Sequence, residues 1–125
     1  MDFKKGGSME NTSQMIQKLY GNYSSQLIDR LNDLSPELNQ VIQNVAYEQF
    51  WNRPGLDLKT KSLITVTSLV ALGKHEQLKI HMRGFLNCGG THSELENVFV
   101  HLIVYCGFPA VMNAFTVLKE LSSEQ

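Results

Sequence analysis

Residues 81–110 read HMRGFLNCGGTHSELENVFVHLIVYCGFPA, the end of one helical pattern, a stop, and the start of another. Apolar residues recur at helical spacing through Leu78, Met82 and Phe85, and the pattern ends at Cys88-Gly89-Gly90. Glycine ends helices because it alone takes the left-handed backbone at little cost. Thr91-His92-Ser93-Glu94 fits a capping box, in which the Thr and Glu side chains satisfy each other's free N–H groups. The helix that follows carries Leu95, Val98, Phe99, Leu102, Ile103 and Cys106 on one face, with Val100, Val104 and Tyr105 on a second. A helix apolar on more than one side must be buried on more than one side. In a chain of 125 residues this implies a subunit interface. Gly107-Phe108-Pro109 then turns the chain into a last helix, from Ala110 to about Leu121.

Outward from this stretch the punctuation stays helical, and no window alternates with period 2. About residues 13–32 carry Ile16, Leu19, Tyr23, Leu27, Ile28 and Leu31 at helical spacing, as one helix or as two broken near Gly21-Asn22. Ser35-Pro36-Glu37 is a helix start, with Ser as N-cap and Pro in the first turn, where its missing N–H costs nothing. That helix runs to about Trp51, and Asn52-Arg53-Pro54-Gly55 breaks it. Asp57 is placed to cap the next, which ends at Gly73, and Lys74 or His75 opens the helix that carries His81. The expected architecture is an all-α bundle of about six helices in one domain, residues 13–125. Residues 1–12 read as a flexible leader or a non-native remnant.

Composition narrows the function classes. Hydrophobic residues make up 42% and charged residues 18% of the chain, an ordinary globular balance. The formal net charge is −1, with no basic block, so a nucleic-acid partner is not expected. No apolar run of membrane-spanning length occurs, and the N-terminus lacks the apolar core of a signal peptide, so the expected compartment is the cytoplasm. Cys88 and Cys106 are too few and too far apart for a disulfide framework. Neither belongs to a CxxC pair, and Cys88 lies near a helix C-terminus, whose dipole raises a thiol pKa.

Two groups of residues can carry chemistry. His81 lies on the same stripe as Leu78 and Phe85. It reads either as a core histidine bonded to a backbone carbonyl or as an imidazole at the floor of an apolar pocket, suited to proton transfer. His75 and His92 fall at helix starts and are expected in solvent, and His101 lies in the doubly apolar helix. His81 and Cys88 are two turns apart, about 10 Å along the axis, too far to share a metal, so no metal site is expected. The second group is EQFWNRPGLDLKTK, residues 48–61. Glu48, Trp51, Arg53, Lys59 and Lys61 flank a helix-to-helix corner, either as the rim of an anion pocket or as solvated surface ion pairs. Arg83, one step past Met82, falls off the inward face of its helix.

Taken together, WNRPGLDLKTKSLIT, ALGKHEQLKIHMRGFLNCG and VYCGFPAVMNA resemble the carboxymuconolactone decarboxylase family, closest to its γ-carboxymuconolactone decarboxylase branch, over about residues 36–121. The resemblance implies an all-helical AhpD-like fold built on an antiparallel helix pair. It also implies a ring-shaped homo-oligomer, a hexamer or trimer of dimers, and a cytoplasmic enzyme. That enzyme would remove CO₂ from 4-carboxymuconolactone or a similar small carboxylated lactone in protocatechuate (β-ketoadipate) catabolism, without a cofactor. His81 matches the family histidine. The peroxidase branch has a CxxC where this chain has Lys74 and Gln77, so thiol peroxidase activity is not expected. The family often has Arg where Lys59 and Lys61 stand here, and Lys lacks the planar fork that grips a carboxylate. On this reading His81 is the hydrogen-bond donor or acid and Glu48 its orienting or relay partner. Arg53, with Lys61 and Arg83, binds carboxylate, and Trp51 is an apolar wall. The alternatives are another cofactor-free lyase or isomerase, or a small-molecule-binding protein on the same scaffold.

Overall fold

Short-range chemistry places most of the helix ends. Ser35 is extended (φ −171°, ψ 124°) and its side chain accepts from the N–H of Leu38 at 3.2 Å, while Pro36 fills the first helical turn. Thr91 and Glu94 form both halves of the capping box: Thr91 Oγ1 accepts from Glu94 N at 3.0 Å, and Glu94 Oε1 accepts from Thr91 N at 3.1 Å. At Gly73 (φ +69°), Gly73 N donates to Val70 O and Lys74 N to Leu69 O. At Gly89 (φ +96°), Gly89 N donates to Leu86 O and Gly90 N to Phe85 O. Both pairs are the Schellman arrangement, which satisfies the last carbonyls of the helix.

The structure, a computed structural model, describes residues 9–124. Its helices are α1 (Met9–Tyr20), α2 (Ser24–Leu34), α3 (Pro36–Val41), α4 (Leu58–Leu72), α5 (His75–Asn87), α6 (His92–Cys106) and α7 (Phe108–Ser123). A 3₁₀ turn, Gly21–Tyr23, joins α1 to α2, and a π-helical stretch, Ile42–Trp51, continues α3. The all-α reading holds, and no strand occurs among the described residues. The break at Gly21 accounts for a seventh helix. The expected leader falls partly outside the described residues, but α1 starts at Met9, ahead of the expected Ser13. Thr12 is fully buried and its Oγ1 accepts from Asn52 Nδ2 at 2.8 Å, which explains the earlier start.

The chain divides into two units, at Leu58 and Lys59. In the amino-terminal unit, Met15, Ile16, Leu19 and Tyr20 of α1 are buried, as is Tyr47. The Tyr20 and Tyr47 hydroxyls lie 2.7 Å apart and their rings meet edge to face at 6.1 Å. This gives two buried hydroxyls a shared partner, which a buried phenol needs. The segment expected as continuous α-helix to Trp51 widens at Ile42, and at its end Asn52 N reaches back five residues to Tyr47 O.

The carboxy-terminal unit has the larger core. Val66 and Val70 of α4, Leu78, Met82 and Phe85 of α5, Leu95 and Phe99 of α6, and Val111, Ala114, Val117, Leu118 and Leu121 of α7 form one buried cluster. Phe99 meets Phe115 edge to face at 5.5 Å. The second apolar face of α6 behaves differently: Val100, Val104 and Tyr105 are 57%, 78% and 74% exposed, and Phe108 and Met112 at the start of α7 are 67% exposed each. Five large apolar side chains in one exposed strip exceed what scattered surface residues explain.

Candidate functional site

His81 sits in the middle of α5, half-buried, one turn from Leu78 on one side and from Gly84 and Phe85 on the other. Those three neighbours are buried. Leaving water disfavours the charged imidazole, and burial lowers the His81 pKa from 6.5 to about 4. The ring is therefore neutral at physiological pH, with one nitrogen able to donate and the other to accept. His75 and His101 are exposed and His92 is half-buried: His75 pairs with Glu120 at 3.3 Å, and the His101 ring lies 5.4 Å from that of Tyr105. His92 Nδ1 lies 3.4 Å from Ser122 Oγ.

The candidate cations of this unit differ in their surroundings. Lys59 Nζ donates to Glu94 Oε2 at 3.2 Å and lies 5.8 Å from the centre of the Phe85 ring. The Lys59 hydrogen bond is the main cause that holds the Glu94 carboxyl below its ordinary range. Arg83 Nη2 donates to Glu124 Oε2 at 3.1 Å, and Lys79 pairs with the other oxygen of the same carboxylate. Lys79, with Arg83, lowers the Glu124 pKa. Lys59 and Arg83 thus fasten helices: Lys59 ties α4 to α6, and Arg83 ties α5 to the end of α7. Lys61 is half-buried on α4, one residue before the buried Ser62.

The remaining candidates belong to the amino-terminal unit. Glu48 and Trp51 lie in the π-helical stretch and Arg53 just beyond it, all half-buried. Trp51 stacks on Tyr47 with ring centres 6.0 Å apart and planes 22° apart. Burial is the larger effect on the Tyr47 phenol and raises its pKa against the opposing hydrogen bond from Tyr20. A π-helical turn widens the spacing of side chains and occurs often at functional positions.

Both cysteines are free thiols and half-buried. Among the described residues no three His, Cys, Asp or Glu side chains cluster closely enough to hold a metal ion, and no helix is long and apolar enough to cross a membrane. A small cavity between α4, α5 and α7, lined by Leu69, Val70, Gly73, His75, Leu78, Ala110 and Asn113, has a volume of about 10 Å³, the room of one water. Sequence reasoning passed over Ser62, fully buried, whose Oγ has no hydrogen-bond partner. The available signal was a hydroxyl at a core position of α4, four and eight residues before Val66 and Val70.

An all-helical protein with a neutral, half-buried histidine on a helix whose neighbouring turns carry core residues is the class that fold and site define. The chain belongs to the carboxymuconolactone decarboxylase family, which it matches over residues 36–120. It is 32% identical over 119 residues to a 4-carboxymuconolactone decarboxylase from Acinetobacter baylyi, covering 95% of this chain and 85% of that protein. It is 35% identical over 81 residues to a nitrosuccinic acid decarboxylase from Metarhizium robertsii, covering 65% of this chain and 57% of that protein. An uncharacterized 15.0 kDa protein from Paracoccus denitrificans is 25% identical over 97 residues, covering 76% of this chain and 72% of that one.

Proposed function

We propose that the protein is a carboxy-lyase that removes CO₂ from 4-carboxymuconolactone, or a closely similar small carboxylated lactone, without a cofactor. The observation that carries this reading is the match to a 4-carboxymuconolactone decarboxylase along 95% of the chain, with His81 as the half-buried imidazole within it. In that substrate the departing carboxylate sits on a carbon conjugated through a ring double bond to the lactone carbonyl. Electrons released with CO₂ flow into the carbonyl, so the substrate carries its own electron sink.

The resting imidazole is neutral, so His81 enters the reaction as a hydrogen-bonding group. A dianionic substrate beside it favours the imidazolium, and a proton is taken up on binding. Loss of CO₂ leaves a dienolate whose oxygen the His81 N–H stabilises. The imidazolium then protonates the carbon next to the lactone carbonyl, yielding the enol lactone and neutral His81. The balance is one dianion and one proton converted to one CO₂ and one monoanion. Lys61 and Arg83, in the same unit as His81, are the anchors for the carboxylate that stays.

The relative named for nitrosuccinic acid supports a second reading, another small dicarboxylic acid that carries its own sink. There a nitro group would take the electrons that the lactone carbonyl takes above. Following CO₂ release from 4-carboxymuconolactone and from nitrosuccinate in parallel decides between them, and turnover of neither compound defeats both. The exposed apolar side chains on α6 and α7 support self-association, and the assembly proposed is a homo-oligomer, a hexamer or trimer of dimers.

A further inference from the structure

We propose that the uncharged face formed by α6 and the start of α7 receives a second copy of this chain, and that His101 makes that contact sensitive to pH. The inference rests on the self-association reading above and goes beyond it by naming the group that controls the contact.

Charged residues make up 18% of the chain, yet none falls between Glu96 and Lys119. Within that span Val100, Val104 and Tyr105 on α6, and Phe108 and Met112 on α7, are each more than half exposed. Positions 100, 101, 104 and 105 share one face of α6, because residues three and four apart are neighbours on a helix. The five open side chains offer roughly 600 Å² per copy, so two copies cover about 1,200 Å², the lower edge of a stable specific interface. A partner rich in charge would give up water here and meet no countercharge. A second copy brings the same uncharged face, and a two-fold contact sets each patch against its own image. The occupant this face fits is another copy of the chain.

His101 stands within that face. It is exposed, and its ring lies 5.4 Å from the ring of Tyr105, one turn further along α6. The helices around it bring no fixed charge to this span: α7 carries none from Phe108 to Leu118, and α4 none after Lys61. Nearer the helix ends, Glu94 is held by Lys59, Glu120 by His75 and Lys79, and Glu124 by Lys79 and Arg83. Glu96 lies more than a turn before His101, and Lys119 lies near the far end of α7. Tyr105 and Cys106, the other titratable side chains of the span, never carry positive charge.

An imidazolium covered by an apolar partner loses its water and gains no counter-ion, so contact favours the neutral ring. A two-fold contact covers two such rings at once. An imidazole ordinarily titrates at about pH 6.5. Two rings that must be neutral in the contact therefore weaken self-affinity about 100-fold between pH 8 and pH 5.5.

The test is sedimentation of wild type, His101→Gln and His101→Leu at pH 8 and pH 5.5, with circular dichroism confirming that all three stay helical. Neither replacement gains charge as the pH falls. Wild type should associate at pH 8 and lose about 100-fold in self-affinity at pH 5.5, while both variants associate equally at the two pH values. His75, His81 and His92 are present in all three proteins, so the difference belongs to His101. The same pH dependence in wild type and variants, none in wild type, or loss of association at pH 8 in both variants overturns the role of the histidine. Wild type that is monomeric at pH 8 overturns the self-association reading, and this proposal with it.

Discussion

Replacing His81 by asparagine should flatten the acid limb of the stability curve. In the unfolded chain the imidazole titrates near its ordinary 6.5; in the fold, burial lowers it to about 4. A depressed histidine pKa means that the unfolded state binds more protons between these values, so stability falls as pH drops through that window. Above pH 6.5 both states hold the ring neutral and nothing is lost. At pH 5 the unfolded ring is almost fully charged and the folded ring mostly neutral, a loss of about 2 kcal/mol. Below pH 4 the full shift of roughly 2.5 units corresponds to about 3 kcal/mol. The Glu94 and Glu124 carboxyls, held below their ordinary range by Lys59 and Lys79, lose stability in the same direction, so wild type alone does not isolate the histidine. Urea unfolding of wild type and His81→Asn at pH 7, 6, 5 and 4.5 does. Wild type should lose about 2 kcal/mol more than the variant between pH 7 and 5. Equal losses in the two proteins, or an NMR titration of His81 near 6.5, would refute the reasoning.

Two other substitutions test the packing. A methyl group on Gly90 would fall 2.2 Å from a carbon of the buried Phe85 ring, so Gly90→Ala should lower stability by about 1–3 kcal/mol, read as an earlier urea midpoint; an unchanged midpoint would contradict this packing. Val104→Glu on the exposed strip should shift the sedimentation profile to smaller species while helical content by circular dichroism stays constant, and an unchanged profile would remove that strip from any interface.

How much of this was legible in the sequence follows from the range of the forces involved. The Ser35 cap, the Thr91–Glu94 box and the glycine stops at Gly73 and Gly89 are set by residues within six positions of each other, and each was readable. The start of α1 was not, because Thr12 is satisfied by Asn52, forty positions away. Nor was the widening at Ile42: the apolar spacing of Ile42, Val45 and Phe50 suits an α-helix, and no local residue type demands the longer hydrogen bond. His81 was legible as an inward-facing ring, but its neutrality depends on burial by the assembled fold. Arg83 and Lys59 read as cations available to a ligand, whereas their carboxylate partners, Glu124 and Glu94, lie 41 and 35 positions away. Ser62 passed unnoticed because a single serine in an apolar stripe looks like an ordinary helix residue until its missing partner is seen.

A neutral, half-buried His81 that serves decarboxylation of a small acid carrying its own electron sink is tested most directly by the steady-state release of CO₂ from 4-carboxymuconolactone by wild type and by a folded His81→Ala variant. Wild type should turn the lactone over, and the variant should lose about 10²–10³ in kcat. A variant that decarboxylates at the wild-type rate would contradict the account.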